Sequence, residues 1–204
     1  REQKARYPER YGTEYHTDKP ASPPTVSYNE FLEGVYRGEY NAHNPKLKED
    51  ALRLKRARNA WGEGRNQGAD GMHLINQVVD NRANSKGKWG WSTDPYDVMT
   101  PAQFSAWRPV DENYPKMMAQ HKGSKDPQFQ EAYRVVNEEF PEHLKKYKDI
   151  DHYYAPAAVV NVPKWKSDPR MTHLGDHGGH KLYTSKPQPK PKPGLVTGKP
   201  KGKP

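Results

Sequence analysis

Apolar residues recur at helical spacing through the middle of the chain and lose all periodicity at both ends. From Gly71 onward, Met72, Leu74, Ile75, Val78 and Val79 follow the i, i+3, i+4, i+7, i+8 pattern of a helix with one buried face. Upstream, Leu54, Ala57, Ala60 and Trp61 make a weaker stripe on a helix expected over Lys46–Trp61. The Arg53, Lys55, Arg56 and Arg58 run on it reads as a solvated face. Ser27 stands three residues before Glu30 and ahead of Phe31, Leu32 and Val35, a capping-box start for a short helix to about Tyr36. Asp126-Pro127 is a cap followed by a first-turn proline. Phe129, Ala132, Tyr133, Val136 and Phe140 then predict a structural helix running to Pro141. Thr100-Pro101 predicts a similar start for a short helix over Ala102–Trp107. Asp149–Pro156 alternates enough for a short strand or an extended segment. The elements predict an α+β, mostly helical domain over 28–184.

The flanks read differently. Residues 1–27 are charged and proline-punctuated, and predict an extended N-terminal arm; Tyr7, Tyr11 and Tyr15, four apart, could mark a docking helix within it. Residues 185–204 are a Pro/Lys-rich stretch that favours extended polyproline II and has almost nothing to bury. Composition agrees. Only 32% of residues are hydrophobic, and mean hydropathy is −1.24. Six of the 34 basic residues lie in 185–204, which holds no acid, so most of the net charge of +9 belongs to the tail. A basic tail suits a polyanion partner or solubility. The absence of cysteine removes disulfides, zinc thiolate sites and cysteine nucleophiles. No apolar run approaches the length of a membrane span.

Candidate chemistry begins at Glu63, one acid bracketed by Gly62 and Gly64 at a helix C-terminus. The helix dipole disfavours an acid there, so stability alone does not explain the choice. Trp89 and Trp91, alternating about Gly90, are either sugar-stacking loop aromatics or satellites of the core. His173, Asp176, His177 and His180 fall within eight residues. Their spacing matches no metal signature with a mechanical rationale, and a Gly-rich turn with hydrogen-bonding His is preferred; no metal or organic cofactor is expected.

The run WGEGRNQGADGMHLINQVVDNR, Trp61–Arg82, resembles the opening motif of the spore-cortex-lytic (SleB-like) cell wall hydrolase family. Three later segments match in the same order: Gln103-Phe104-Ser105 with Trp107, Pro163-Lys164-Trp165, and Gly179-His180 followed by Tyr183. Ordered matches across roughly residues 50–184 carry more than one motif would. The resemblance implies a lysozyme-like, lytic-transglycosylase-like single domain with extended arms. It implies Glu63 as catalytic acid and peptidoglycan glycan strands as substrate, and it places Gln103 and Ser105 in the cleft and His180 in a turn before a closing strand.

Protonating a β-1,4 glycosidic oxygen requires a carboxylic acid, and burial against an aromatic such as Trp61 helps keep one protonated. Two-carboxylate hydrolysis needs a second acid, and Asp70, Asp80, Asp94 and Asp97 are not assignable to that role. A single acid points instead to a lytic transglycosylase cleaving between N-acetylmuramic acid and N-acetylglucosamine. Gln103, Ser105, Tyr153 and Tyr154, with Trp61 and His180, are the expected substrate-binding residues, one of the Tyr pair facing the sugar. The expected setting is a phage virion or a bacterial periplasm or cell wall, with the two arms available to other virion proteins. The alternative is a non-catalytic basic virion or nucleic-acid-binding protein that keeps the fold. Its signature interleaves aromatics with positive charge, whereas here the aromatics sit in the near-neutral domain and the charge in the tail.

Overall fold

The computed structural model describes residues 27–39 and 45–187. The expected N-terminal arm, its Tyr7, Tyr11 and Tyr15, and the tail from 188 lie outside the described residues.

Helix α1, Tyr28–Arg37, starts at the capping box as expected: Ser27 Oγ accepts from the Glu30 amide and the Glu30 carboxylate accepts from the Ser27 amide. Helix α2, Pro45–Gly64, is the central element, and Glu63 lies in its last turn. A 3-10 turn, Arg65–Gln67, leads into α3, Gly68–Ala83, which packs back along α2. Short helices α4, Pro95–Val98, and α5, Tyr114–Ala119, and then α6, Pro127–Val135, close around this pair. Three strands follow: β1, His152–Tyr154; β2, Thr172–His177; and β3, His180–Thr184. They form an antiparallel sheet ordered β1-β3-β2, with Tyr153 opposite Leu182 and His152 opposite Tyr183. The fold is α+β and mostly helical, and none of its helices is long and apolar enough to cross a membrane, among the described residues.

Several expectations need correction. Helix α3 does not bury one face only. His73, Asn76, Asn81 and Arg82 are buried along with its apolar stripe, because α2, α4, α6 and the approach to β1 surround it. Nor is Arg58 solvated: it is 5% exposed, and its guanidinium donates to the Gln120 and Met118 carbonyls and to Asn29. The helix expected over Ala102–Trp107 shrinks to a 3-10 turn, Ser105–Trp107. Phe104 adopts an extended conformation that buries its ring, and that breaks the run. Helix α6 keeps its Asp126 cap but ends at Val135, short of Phe140. Past Val135 the chain leaves the helix through a turn at 136–137, and Pro141 in addition disfavours helical backbone at Phe140. The boundary at Ser185 also moves. Ser185 is 4% exposed, and Lys186 donates to Asn81 and Asp149, so the folded body extends at least through Lys186.

Candidate active site

Two glycines explain how the end of α2 meets its neighbours. A Cβ on Gly62 would stand 2.6 Å from the Ala106 Cβ and 3.0 Å from the Met117 sulfur. A Cβ on Gly64 would stand 3.0 Å from the backbone of Gly71 on α3. Both glycines therefore serve close approach. Their removal of side-chain bulk lets the Ser105–Trp107 turn lie against the last turn of α2, directly over Glu63.

The consequence is visible at the carboxylate. Glu63 Oε1 accepts from the Ala106 amide at 2.7 Å and from Ser105 Oγ at 3.1 Å. Glu63 Oε2 accepts from the Tyr153 hydroxyl at 2.8 Å. Three donors thus reach one half-buried carboxylate from two segments distant in sequence. Burial, reinforced by the charge of Glu63, holds the Tyr153 phenol well above its ordinary pKa, with Arg82 pulling the other way. Tyr153 therefore keeps its proton and remains a donor to Glu63 across the neutral range.

Strand alternation decides between the two tyrosines. Tyr153 points to Glu63, whereas Tyr154 points to the other face of the sheet and packs against Tyr183 and Trp165. Tyr154 is thus a packing residue, and so is Trp165. His180 does not touch Glu63. It packs edge-on against Tyr153, ring centroids 5.1 Å apart, and Gln67 donates to its ring nitrogen. Burial, with the nearby His177 adding to it, lowers the His180 imidazole below its ordinary value, so it is neutral at pH 7. Trp61 is 4% exposed beneath the Arg65 guanidinium, 4.3 Å away, and belongs to the core. Gln103 bonds Arg82 instead of Glu63. Phe104 is core, and Trp107 donates to Asn59 from a buried position.

The carboxylates weighed as second acids are engaged elsewhere. Asp70 pairs with His143, Asp97 with Arg37 and Asp80 with Arg56, while Asp94 caps α4 and accepts from Tyr36. The His-rich segment forms the β2–β3 hairpin around Gly178-Gly179, both with positive φ. Its polar residues diverge: His173 bonds Asp176, His177 lies edge-on to Tyr147, and His180 meets Gln67. Trp91 is buried and Trp89 half-buried, with its indole N–H on Ser185. They pack with His152 on the far side of β1 as satellites of the core.

No family model matches the chain, and neither does any curated protein or solved structure. The functional reading therefore stands on the geometry of Glu63 and on the residues that carry the resemblance.

Reading the sequence for catalytic side chains missed Asn81 and Arg82 at the end of α3. Asn81 donates to the carbonyls of Lys148 and Ile150, and Arg82 Nε donates to that of Asp151 at 2.8 Å. Together they fasten α3 to the chain entering β1. The signal was present as polar residues standing beside an apolar stripe, which is unfavourable unless partners are supplied.

Proposed function

We propose that this chain is a peptidoglycan-degrading glycosidase that cleaves the β-1,4 bond between N-acetylmuramic acid and N-acetylglucosamine, with Glu63 as its acid. The observation that carries the reading is the set of three donors on Glu63, supplied by Ser105, the Ala106 amide and Tyr153. The residues of the SleB-like resemblance include both Glu63 and Ser105. A helix-borne acid facing a small antiparallel sheet supports a lysozyme-like domain.

Oε1 takes two donors and Oε2 one, so Oε2 keeps a lone pair for the proton to be transferred. Neutral Glu63 gives that proton to the glycosidic oxygen as the C1–O bond breaks and positive charge develops at C1. The three donors then stabilise the carboxylate that remains, already in place when its charge appears. The same carboxylate next accepts the proton of the muramic acid C6 hydroxyl, and O6 closes on C1. The product is a 1,6-anhydro sugar, water is not consumed, and Glu63 ends protonated. The engagement of Asp70, Asp80, Asp94 and Asp97 with other partners favours this one-acid route over hydrolysis. Glycan strands in a bacterial envelope are the substrate this chemistry implies, met either from a phage particle or from the periplasm.

Glu63→Gln preserves shape and removes the proton, and is expected to lower turbidity clearance of purified peptidoglycan by ~10²–10⁴-fold. Digestion by the wild-type protein should release muropeptides one water lighter than hydrolysis products and resistant to borohydride reduction. Full clearance by folded Glu63→Gln would overturn the assignment, and wholly reducible ends would overturn the transglycosylase route.

A further inference from the structure

Arg82 is 6% exposed, and a guanidinium at that depth has to be supplied with acceptors. It finds two backbone segments. Nε donates to the Asp151 carbonyl at 2.8 Å; Nη1 donates to the Gln103 carbonyl at 3.3 Å and to the Gln103 side-chain oxygen at 3.4 Å. The rings of Phe104 and Trp91 lie 5.0 and 5.1 Å from the guanidinium carbon. Burial lowers its pKa, while the neighbouring Tyr153, Asp151 and Glu63 oppose the shift. An arginine remains charged throughout.

The two anchored positions share one relation to the site. Gln103 is two residues before Ser105, and Asp151 is two residues before Tyr153. In extended chain two residues span only about 7 Å and return to the same face. Arg82 thus grips each donor segment just upstream of the side chain it delivers to Glu63. Phe104, between the grip and the Ser105–Trp107 turn, is extended, and Asp151 leads straight into β1 through its amide bond to the Tyr183 carbonyl.

We propose that Arg82 is the positioning residue of this site: one buried cation that sets the Ser105–Ala106 and Tyr153 donors on Glu63 together, without touching substrate. A lysine cannot replace it, because one ammonium on a flexible stem lacks the planar fork that reaches two carbonyls in different directions. The proposal rests on Glu63 being the acid, but its structural half can be measured without any activity.

The test is Arg82→Lys, read in two ways. In steady-state digestion kcat should fall by about tenfold or more with KM within about threefold, because sub-ångström misplacement of donors acts on the transition state more than on binding. In amide hydrogen exchange, the Ala106 N–H that donates to Glu63 should lose at least about tenfold more protection than the core amide of Val78, which reports global stability. A general loss of stability would move both amides equally and would lower only the apparent kcat through the folded fraction, so the difference in protection between Ala106 and Val78 separates the two. Wild-type kcat together with wild-type Ala106 protection would overturn the proposal. Should Arg82→Lys not fold, Gln103→Ala at a half-buried position removes the side-chain acceptor while the Gln103 carbonyl stays on Nη1, and so loosens that end of the clamp. Ala106 protection should then drop while the Asp151 amide stays protected, and no change at Ala106 overturns the proposal. A wild-type protein inactive on peptidoglycan would sink the glycosidase reading and leave Arg82 to be judged by exchange alone.

Discussion

Asp151 is a carboxylate enclosed at the edge of the sheet. It accepts from His152 Nδ1 at 2.8 Å, from the Ser185 amide at 2.9 Å and from Ser185 Oγ at 2.5 Å. Burial acts to raise its pKa, but the hydrogen bonds from His152 and Ser185 outweigh it, and the net shift is downward from 3.8. A carboxyl with a depressed folded-state pKa contributes stability above its unfolded value, and that contribution is lost as pH falls through the folded value. The melting temperature should therefore hold near neutrality and drop below pH 3.8. Asp151→Asn should lower it at pH 7, where an amide cannot accept from every donor around it, and the mutant's acid limb should be flatter. Each buried donor left unpaired costs roughly 1–3 kcal/mol. Thermal scans from pH 7 to pH 2 decide the matter; parallel curves for mutant and wild type would mean that Asp151 titrates alike in both states.

At the scale of elements, the junction of α2 with the Ser105–Trp107 turn rests on a missing side chain. Helix propensity alone favours Gly62→Ala by about 1 kcal/mol. The new Cβ would meet the Ala106 Cβ at 2.6 Å and the Met117 sulfur at 3.0 Å, and overpacking of this kind costs about 1–3 kcal/mol. The clash should win. Urea titration should show Gly62→Ala destabilised, and the displaced turn should weaken the Ala106–Glu63 bond and with it peptidoglycan clearance. A stabilised Gly62→Ala protein would show that the glycine serves no close approach. The same logic separates α2 from α3: α2 ends in a contact between backbones, and α3 ends in polar side chains that reach the entry to β1.

The folded body closes through its last described residues. Ser185 bonds Asp151, accepts from the Trp89 indole and offers its carbonyl to Lys88. Lys186 reaches back to Asn81 and Asp149. Truncation after Thr184 should strip the Ser185 donors from Asp151 and leave His152, whereas truncation after Pro187 keeps them all. A chain of this size loses about 2–4 °C per kcal/mol, so the shorter protein should melt at least about 5 °C below the longer one in calorimetry. Equal melting temperatures would put the boundary of the domain back at Ser185.

The sequence by itself determined what short-range physics governs. The Ser27–Glu30 capping box, the Asp126-Pro127 start of α6, an extended segment within Asp149–Pro156 and a Gly-rich turn before His180 each depend on neighbours a few residues away, and each was legible. Glu63 stood out as well, because two glycines around an acid at a helix end are unfavourable locally and ask for another reason. Only the tertiary structure shows that the glycines serve close packing and which donors surround the carboxylate. Ser105, Ala106 and Tyr153 reach Glu63 from 42, 43 and 90 positions away, and no local period encodes such a meeting. Tyr153 and Tyr154 are equivalent as residues, and the register of β1 against β3 sends one to the site and the other to the outer aromatic layer. Arg58 reads as a solvated helix residue because polarity predicts solvent, and no local signal assigned Asn81 and Arg82 their partners. All three are buried because the packed backbone around them offers carbonyls that water would otherwise have to satisfy.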